Sequence, residues 1–241
     1  MVAAMTTSMH LLVALLCGHL LADFVSQTRK TAALKTNLAV LTLHALVAAA
    51  IPYLLVGGWR LWEIPVVTFL THWLIDFFKV KSKRQGLMPF SIDQIAHLAV
   101  ILFLVKWFDV APFVLRWVSR FGDVFSSALI VVSGAILVTV VSGIVVGYVV
   151  RDLQRAAALT RDSGFPFGGE SIGQLERFLV FVLILIGQFE AIGFLVAAKS
   201  ILRFGELKED RRDAEYVIIG TMWSLVCGLL VTLATRAALK L

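Results

Sequence analysis

The sequence predicts an all-α integral membrane protein of about seven transmembrane helices, the first four forming a tandem-repeat bundle. Three observations carry this expectation. Of 241 residues, 59% are hydrophobic and 16% are charged, whereas soluble domains carry roughly 25% charged residues. The mean hydropathy is +0.90. His19, Asp23, Phe24 and His44 recur as His72, Asp76, Phe77 and His97, each 53 positions later.

Apolar stretches place helices near 8–25, 37–57, 61–79, 90–107, 124–150, 175–203 and 214–238. A helix needs about 20 residues to cross a hydrocarbon core. By that measure the third and fourth are short, and the fifth and sixth are long. Ser8 suits the N-cap of the first helix and Asn37 that of the second. Gly57-Gly58 marks a turn. Pro89 falls just before the fourth helix, where a proline is tolerated. Residues 109–123 alternate apolar and basic groups, including Arg116 and Arg120, and suggest an interfacial helix. Residues 160–174, rich in Gly and Ser and containing Pro166, read as a loop. The expected division is a four-helix His/Asp repeat domain at 1–108 and a three-helix C-terminal membrane domain at 109–241.

Basic residues set the expected orientation. Loops 26–36 and 79–89 hold Arg29, Lys30, Lys35, Lys79, Lys81, Lys83 and Arg84, while the loop between them holds Arg60. Cytoplasmic loops collect Lys and Arg. The expectation is a bacterial inner-membrane protein with its N-terminus outside. Seven full crossings would put the C-terminus inside, and a re-entrant segment would reverse it. The first residues lack the basic region and cleavage site of a signal peptide. The net charge of +6 sits in these loops and calls for membrane lipid, with no nucleic acid as partner. Cys17 and Cys227 lie in apolar segments and suggest no disulfide framework.

The orientation fixes a depth for each repeated residue. His19, His44, His72 and His97 each lie about seven residues from a cytoplasmic helix end, and Asp23, Asp76 and Asp93 about three. At the rise of an α-helix, the His level is ~10 Å deep and the Asp level ~5 Å. The i, i+4 spacing puts each His and its Asp on one face. Val40 stands where a fourth Asp would be. Near the interface, water should reach the Asp level. Ionisable groups inside a membrane are costly and usually functional.

Imidazole with carboxylate suits a divalent metal ion such as Zn, Mn or Fe. The seven residues exceed one tetrahedral shell, leaving room for two ions or for one ion with outer Asp–His pairs. Asp23, Asp76 and Asp93 are also candidate catalytic groups, as general base or orienting carboxylate. Other readings stay open: polar residues satisfied by packing, an Asp–His network without metal, or a bis-His haem. Elsewhere, Gln188 and Glu190 fall mid-stretch, with Lys199 and Arg203 one turn apart beyond them. Lys199 is too far along the helix to pair with Glu190. A partner on another helix, or a protonated Glu190, would satisfy the carboxyl group. The segment 203–216 mixes both signs of charge and reads as a solvated loop.

The run His19-Leu-Leu-Ala-Asp-Phe24, with His44, His72-Trp-Leu-Ile-Asp-Phe77 and Asp93-Gln-Ile-Ala-His97, resembles the bacterial membrane family called domain of unknown function 3307. The resemblance covers roughly residues 9–105. The stretch from Leu175-Glu-Arg177 through Gly187-Gln188, Ala197-Ala-Lys-Ser200, Arg203-Phe204 and Glu215-Tyr216 to Gly220-Thr221 is similar to a C-terminal extension in some members. The resemblance implies the membrane class and supplies no reaction. By analogy alone, the pattern is similar to membrane-bound metal-dependent hydrolases.

Three functions are therefore expected in order. The first is a metal-dependent hydrolase of a lipid or lipid-linked phosphoester at the cytoplasmic leaflet. The second is a metal-ion or proton transport or binding module. The third is a non-catalytic structural subunit of a membrane complex. The outer halves of the first four helices offer little beyond Thr68 and Thr71, which favours a one-sided site over a path.

Overall fold

The computed structural model describes residues 5–108, 115–157, 168–204 and 211–240. Every element among them is helical. In chain order they are α1 (Thr7–Leu20), a π-helical continuation (Leu21–Ser26), α2 (Arg29–Ala33), a 3₁₀ turn (Leu34–Thr36), α3 (Leu38–Val56), α4 (Glu63–Ser82) and α5 (Leu87–Trp107). Then come α6 (Arg116–Phe121), α7 (Asp123–Ile136), a second π segment (Leu137–Val141), α8 (Ser142–Ala157), α9 (Gly168–Leu185), α10 (Phe189–Phe204) and α11 (Arg211–Leu239).

Among the described residues, five stretches are long and apolar enough to cross a membrane: Thr7–Ser26, Leu38–Val56, Leu87–Trp107, Asp123–Gln154 and Ile218–Leu239. These correspond to five of the seven expected segments. The third expected segment, now α4, carries Glu63 at one end and Asp76, Lys79 and Lys81 at the other, so its apolar run is shorter. The sixth is not one helix. α9 ends at Leu185, Gly187 adopts a left-handed φ of 78°, and α10 starts at Phe189. The expected loop at 160–174 is partly helix, because α9 begins at Gly168; residues 160–167 lie outside the described residues. Of the expected interfacial segment 109–123, residues 109–114 lie outside them too, and Arg116–Phe121 is the short helix α6.

The chain forms two compact units, Met1–Ile136 and Leu137–Leu241. The boundary lies after α7 rather than near residue 108, because α7 packs on α1. His10 of α1 helps hold that contact, with Nδ1 2.6 Å from Ser126 Oγ and Nε2 3.3 Å from Asp123 Oδ1.

In the first unit, α1, α3, α4 and α5 pack in a ring. The helix ends follow from local chemistry. Thr6, not Ser8, caps α1 by accepting from the Met9 amide, while Asn37 caps α3 by accepting from Ala39. Gly57 ends α3 in the left-handed conformation. Short connections make successive long helices antiparallel, so each contributes one end to each side of the ring. One side is an apolar core of Leu11, Leu15, Val56, Ile64, Leu104 and Leu129. The other side gathers the His and Asp residues. α1 and α3 approach closely between the two, where a Cβ on Gly18 would lie 2.4 Å from Pro52 Cα.

Burial runs opposite to that of a soluble protein. Leu43, Phe78 and Ile95 are 63%, 62% and 64% exposed, whereas His72 and Asp76 are 3% and 1% exposed. An apolar perimeter around a polar interior is what a hydrocarbon solvent selects.

In the second unit, α8, α9 and α11 pack together, and α10 packs on α9.

Candidate metal centre

Four helix ends bring the His and Asp side chains to one side of the ring. His19 ends α1 and Asp23 sits in its π continuation. His44 lies in the second turn of α3, His72 and Asp76 in the second half of α4, and Asp93 and His97 in the first half of α5. The i, i+4 pairs meet as their spacing requires. His72 Nε2 lies 3.5 Å from Asp76 Oδ2, His97 Nε2 3.8 Å from Asp93 Oδ1, and His19 Nδ1 3.9 Å from Asp23 Oδ2. π-helical turns recur at functional sites because they redirect side chains. Here the π turn carries Asp23, whose Oδ1 reaches across to His44 and His72 on the neighbouring helices.

Four atoms from three helices converge. His44 Nε2 and His72 Nε2 are 3.0 Å apart. Asp23 Oδ1 lies 3.3 Å from His44 Nε2 and 3.4 Å from His72 Nε2. Asp76 Oδ2 lies 3.6 Å and 3.5 Å from the same two nitrogens. Ligand atoms bound at zinc's usual ~2.0–2.1 Å sit about 3.3–3.4 Å from one another in a tetrahedron. The three edges among Asp23 Oδ1, His44 Nε2 and His72 Nε2 fit one face of that geometry, while Asp76 Oδ2 is near both nitrogens but falls in a separate donor group with Asp93 and His97. The four atoms are all potential lone-pair donors, and two facing imidazole nitrogens at 3.0 Å repel unless a proton or cation lies between them.

The cluster extends to α5. His97 stacks near His72 and His19, with ring centroids 4.3 and 5.0 Å apart. Three groups could each hold an ion, with donor atoms within 4.8 Å: Asp23/His44/His72, His19/His72/His97 and Asp76/Asp93/His97. Among buried polar atoms that lack a hydrogen-bond partner are Asp23 Oδ1, Asp93 Oδ1 and His97 Nε2, all members of these groups. Buried polar atoms are normally satisfied, so their concentration here fits a cation-binding role. A cavity of about 20 Å³ abuts His19, His72 and His97 and reaches Thr68, whose hydroxyl is also unpartnered. That is enough for roughly one water.

Three residues complete the cluster that the sequence did not single out. Lys35, from the 3₁₀ turn before α3, donates to Asp76 Oδ2 at 2.6 Å and is 7% exposed. Lys79 donates to Asp93 Oδ2 at 2.5 Å, and Gln94 bridges Asp93 and His19. Both lysines read as loop cations in the sequence. Lys79 carried a signal, since it stands three residues after Asp76 on one helix face. Lys35 carried none, because a turn had to fold it inward. The Asp level is also drier than expected. The Asp23, Asp76 and Asp93 side chains are 8%, 2% and 3% exposed, because lysine stems and helix ends cover them.

The other polar residues do not join this cluster. Gln188 and Glu190 are exposed at the break between α9 and α10, not buried mid-helix. Lys199 of α10 pairs with Glu176 of α9, not with Glu190. Arg203 lies in the last turn of α10, and its side chain is outside the described residues.

The described fold and site define a helical protein with membrane-length apolar helices and a buried His–Asp–Lys cluster. Residues 11–121 match the model of a family described as a protein of unknown function, DUF3307, and form a domain of that family. The match spans every residue of the cluster. No curated protein and no solved structure is detectably similar to the chain.

Proposed function

We propose that this protein is a metal-dependent hydrolase of the bacterial inner membrane, acting on a lipid-linked phosphoester at the cytoplasmic leaflet. The convergence of Asp23, His44 and His72 at the spacing of one tetrahedral face, with Asp76 beside both imidazoles, supports the metal. Charge supports the substrate. Three carboxylates and two ammonium groups leave one net negative charge if the imidazoles are neutral. A divalent ion would turn this into one net positive charge, the complement of a phosphodiester.

The ion would be Zn, Mn or Fe by donor type, and it would lower the pKa of a bound water and screen the phosphoryl oxygens. The chain's own residues have separate tasks. Asp23 and Asp93, whose Oδ1 atoms lack hydrogen bonds, are the carboxylates available to hold the ion or to take a proton. Lys35 holds Asp76, and Lys79 with Gln94 holds Asp93. His19 and His97 border the water-sized cavity. The tandem-repeat bundle, seven crossings and an outside N-terminus belong to the same proposal. Loops 26–36 and 79–89 still outweigh Arg60 once Lys35 and Lys79 are assigned to the cluster.

A second reading rests on the same charge count. One proton shared between His44 and His72 would also neutralise the cluster, as in a proton-transfer module. Metal analysis of the purified full-length protein separates the two. The expected result is about one equivalent of a first-row divalent ion, lost in His72→Ala and retained in His10→Ala. Release of phosphate or phosphoalcohol from lipid phosphoesters in mixed micelles should then require the ion and disappear in Asp23→Asn. A metal-free protein, fully exchanged in excess zinc and manganese, would leave the proton reading.

A further inference from the structure

The second unit holds a buried cation for which the cluster has no use. Arg177 of α9 is 4% exposed. Its Nε donates to Val138 O at 2.8 Å, Nη2 to Thr139 O at 3.0 Å, and Nη1 to Ser224 Oγ of α11 at 2.9 Å. The two carbonyls belong to the π segment Leu137–Val141. All three partners are neutral. Among the described residues no carboxylate forms an ion pair with Arg177, and Glu176 beside it is engaged by Lys199. A guanidinium has five N–H donors and cannot shed its charge, so among the described residues two donors lack a partner and no carboxylate touches the group.

Glycines make room for the group. A Cβ on Gly143 would lie 2.8 Å from Nη2, and one on Gly173 would lie 3.1 Å from Nη1. Larger residues at either position would crowd the guanidinium. Arg177 also forms part of the wall of a cavity of about 230 Å³ among α9, α10 and α11. The rest of that wall is mainly apolar, with Val180, Leu195, Ile218, Met222 and Leu225. The Lys199–Glu176 pair lines the cavity as well.

An isolated buried charge is costly unless it is paired, and in hydrocarbon such groups mark ligand or ion sites. A mainly apolar chamber whose wall carries one cation in excess, Arg177 beyond the Lys199–Glu176 pair, selects a ligand that is apolar along its length and singly anionic at one end. We propose that this cavity binds an anionic amphiphile, with its acyl chain among α9, α10 and α11 and its head group paired with Arg177. Carboxylate and phosphate heads share this chemistry, so a fatty acid and an acidic phospholipid are the two sources.

The test uses the purified full-length protein in a nonionic detergent, with binding followed by calorimetry and native mass spectrometry. The probes are dodecanoate, dodecanol, a short-chain phosphatidylglycerol and the matching phosphatidylcholine. Dodecanoate or phosphatidylglycerol should bind, whichever is the natural head, and dodecanol and phosphatidylcholine should bind roughly tenfold more weakly or not at all. Arg177→Gln should abolish the preference for anions. Leu195→Trp fills the chamber from α10 and leaves the guanidinium and its three partners in place, so it should remove binding without relying on the Arg177 variant to fold. Equal binding of charged and neutral probes would overturn the proposal. So would anion binding that survives Leu195→Trp.

Discussion

Two buried centres with charged side chains stand out among the described residues, and they are solvated in different ways. In the first unit, Asp76 and Asp93 face Lys35 and Lys79, and Asp23 faces His44 and His72. Charge is opposed by charge there, with one negative charge in excess when the imidazoles are neutral. In the second unit, Arg177 faces two carbonyls and a hydroxyl. Dipoles oppose charge there, with one positive charge in excess. A centre built from charge pairs is fragile to the loss of either partner, because the survivor stays buried and unpaired. A charge held by dipoles leaves only neutral groups when it is removed. The excess charges also differ in sign, so the first centre calls for a cation and the second for an anion.

The largest expected effect breaks the first centre. Asp76→Asn keeps the volume and strands the Lys35 ammonium, so unfolding in detergent with a chelator present should lose about 3–5 kcal/mol of stability. The double variant Asp76→Asn/Lys35→Met removes both charges and should recover most of that loss. Equal stability of the single and double variants would show that the pair is not coupled. Because the single variant costs stability, loss of activity in it does not by itself identify a catalytic carboxylate. Asp23, which has no lysine partner among the described residues, is the cleaner probe.

A smaller effect is expected at the second centre. Arg177→Met leaves Val138, Thr139 and Ser224 with fewer partners but no buried charge, and should cost roughly 1–3 kcal/mol. Chemical denaturation read by helical content would check this. A cost at or above that of Asp76→Asn would erase the contrast between the centres. The smallest effect should come from His10→Ala, at about 1 kcal/mol for the lost Ser126 hydrogen bond, with metal content unchanged. Metal loss in that variant would mean that the apolar side of the ring controls the polar side.

How far the sequence reached depends on where each residue lies. Asn37 as a cap, Gly57 as a stop and the i, i+4 His–Asp pairs were legible because each depends on a few neighbouring residues. The break at Gly187 was less so, since a glycine in an apolar run is compatible with close helix packing as well as with a stop. That break puts Glu190 in the exposed first turn of α10 rather than inside one continuous helix. The sequence divides the chain near residue 108, where the repeat ends, whereas the compact unit extends to Ile136 because α7 packs on α1.

The sequence by itself determined the helical class, the apolar segments and the common level of four imidazoles. Hydropathy and helical periodicity act within one segment, so a single chain read in order reveals them. The tertiary structure alone decided that Asp23 reaches His44 and His72, that Lys35 and Lys79 neutralise two of the carboxylates, and that Arg177 borders a mainly apolar chamber with no carboxylate in an ion pair with it among the described residues. Coulomb and hydrogen-bond energies depend on distances of a few ångströms. Between residues 23 and 72, or 35 and 76, those distances are set by how helices pack and not by position along the chain.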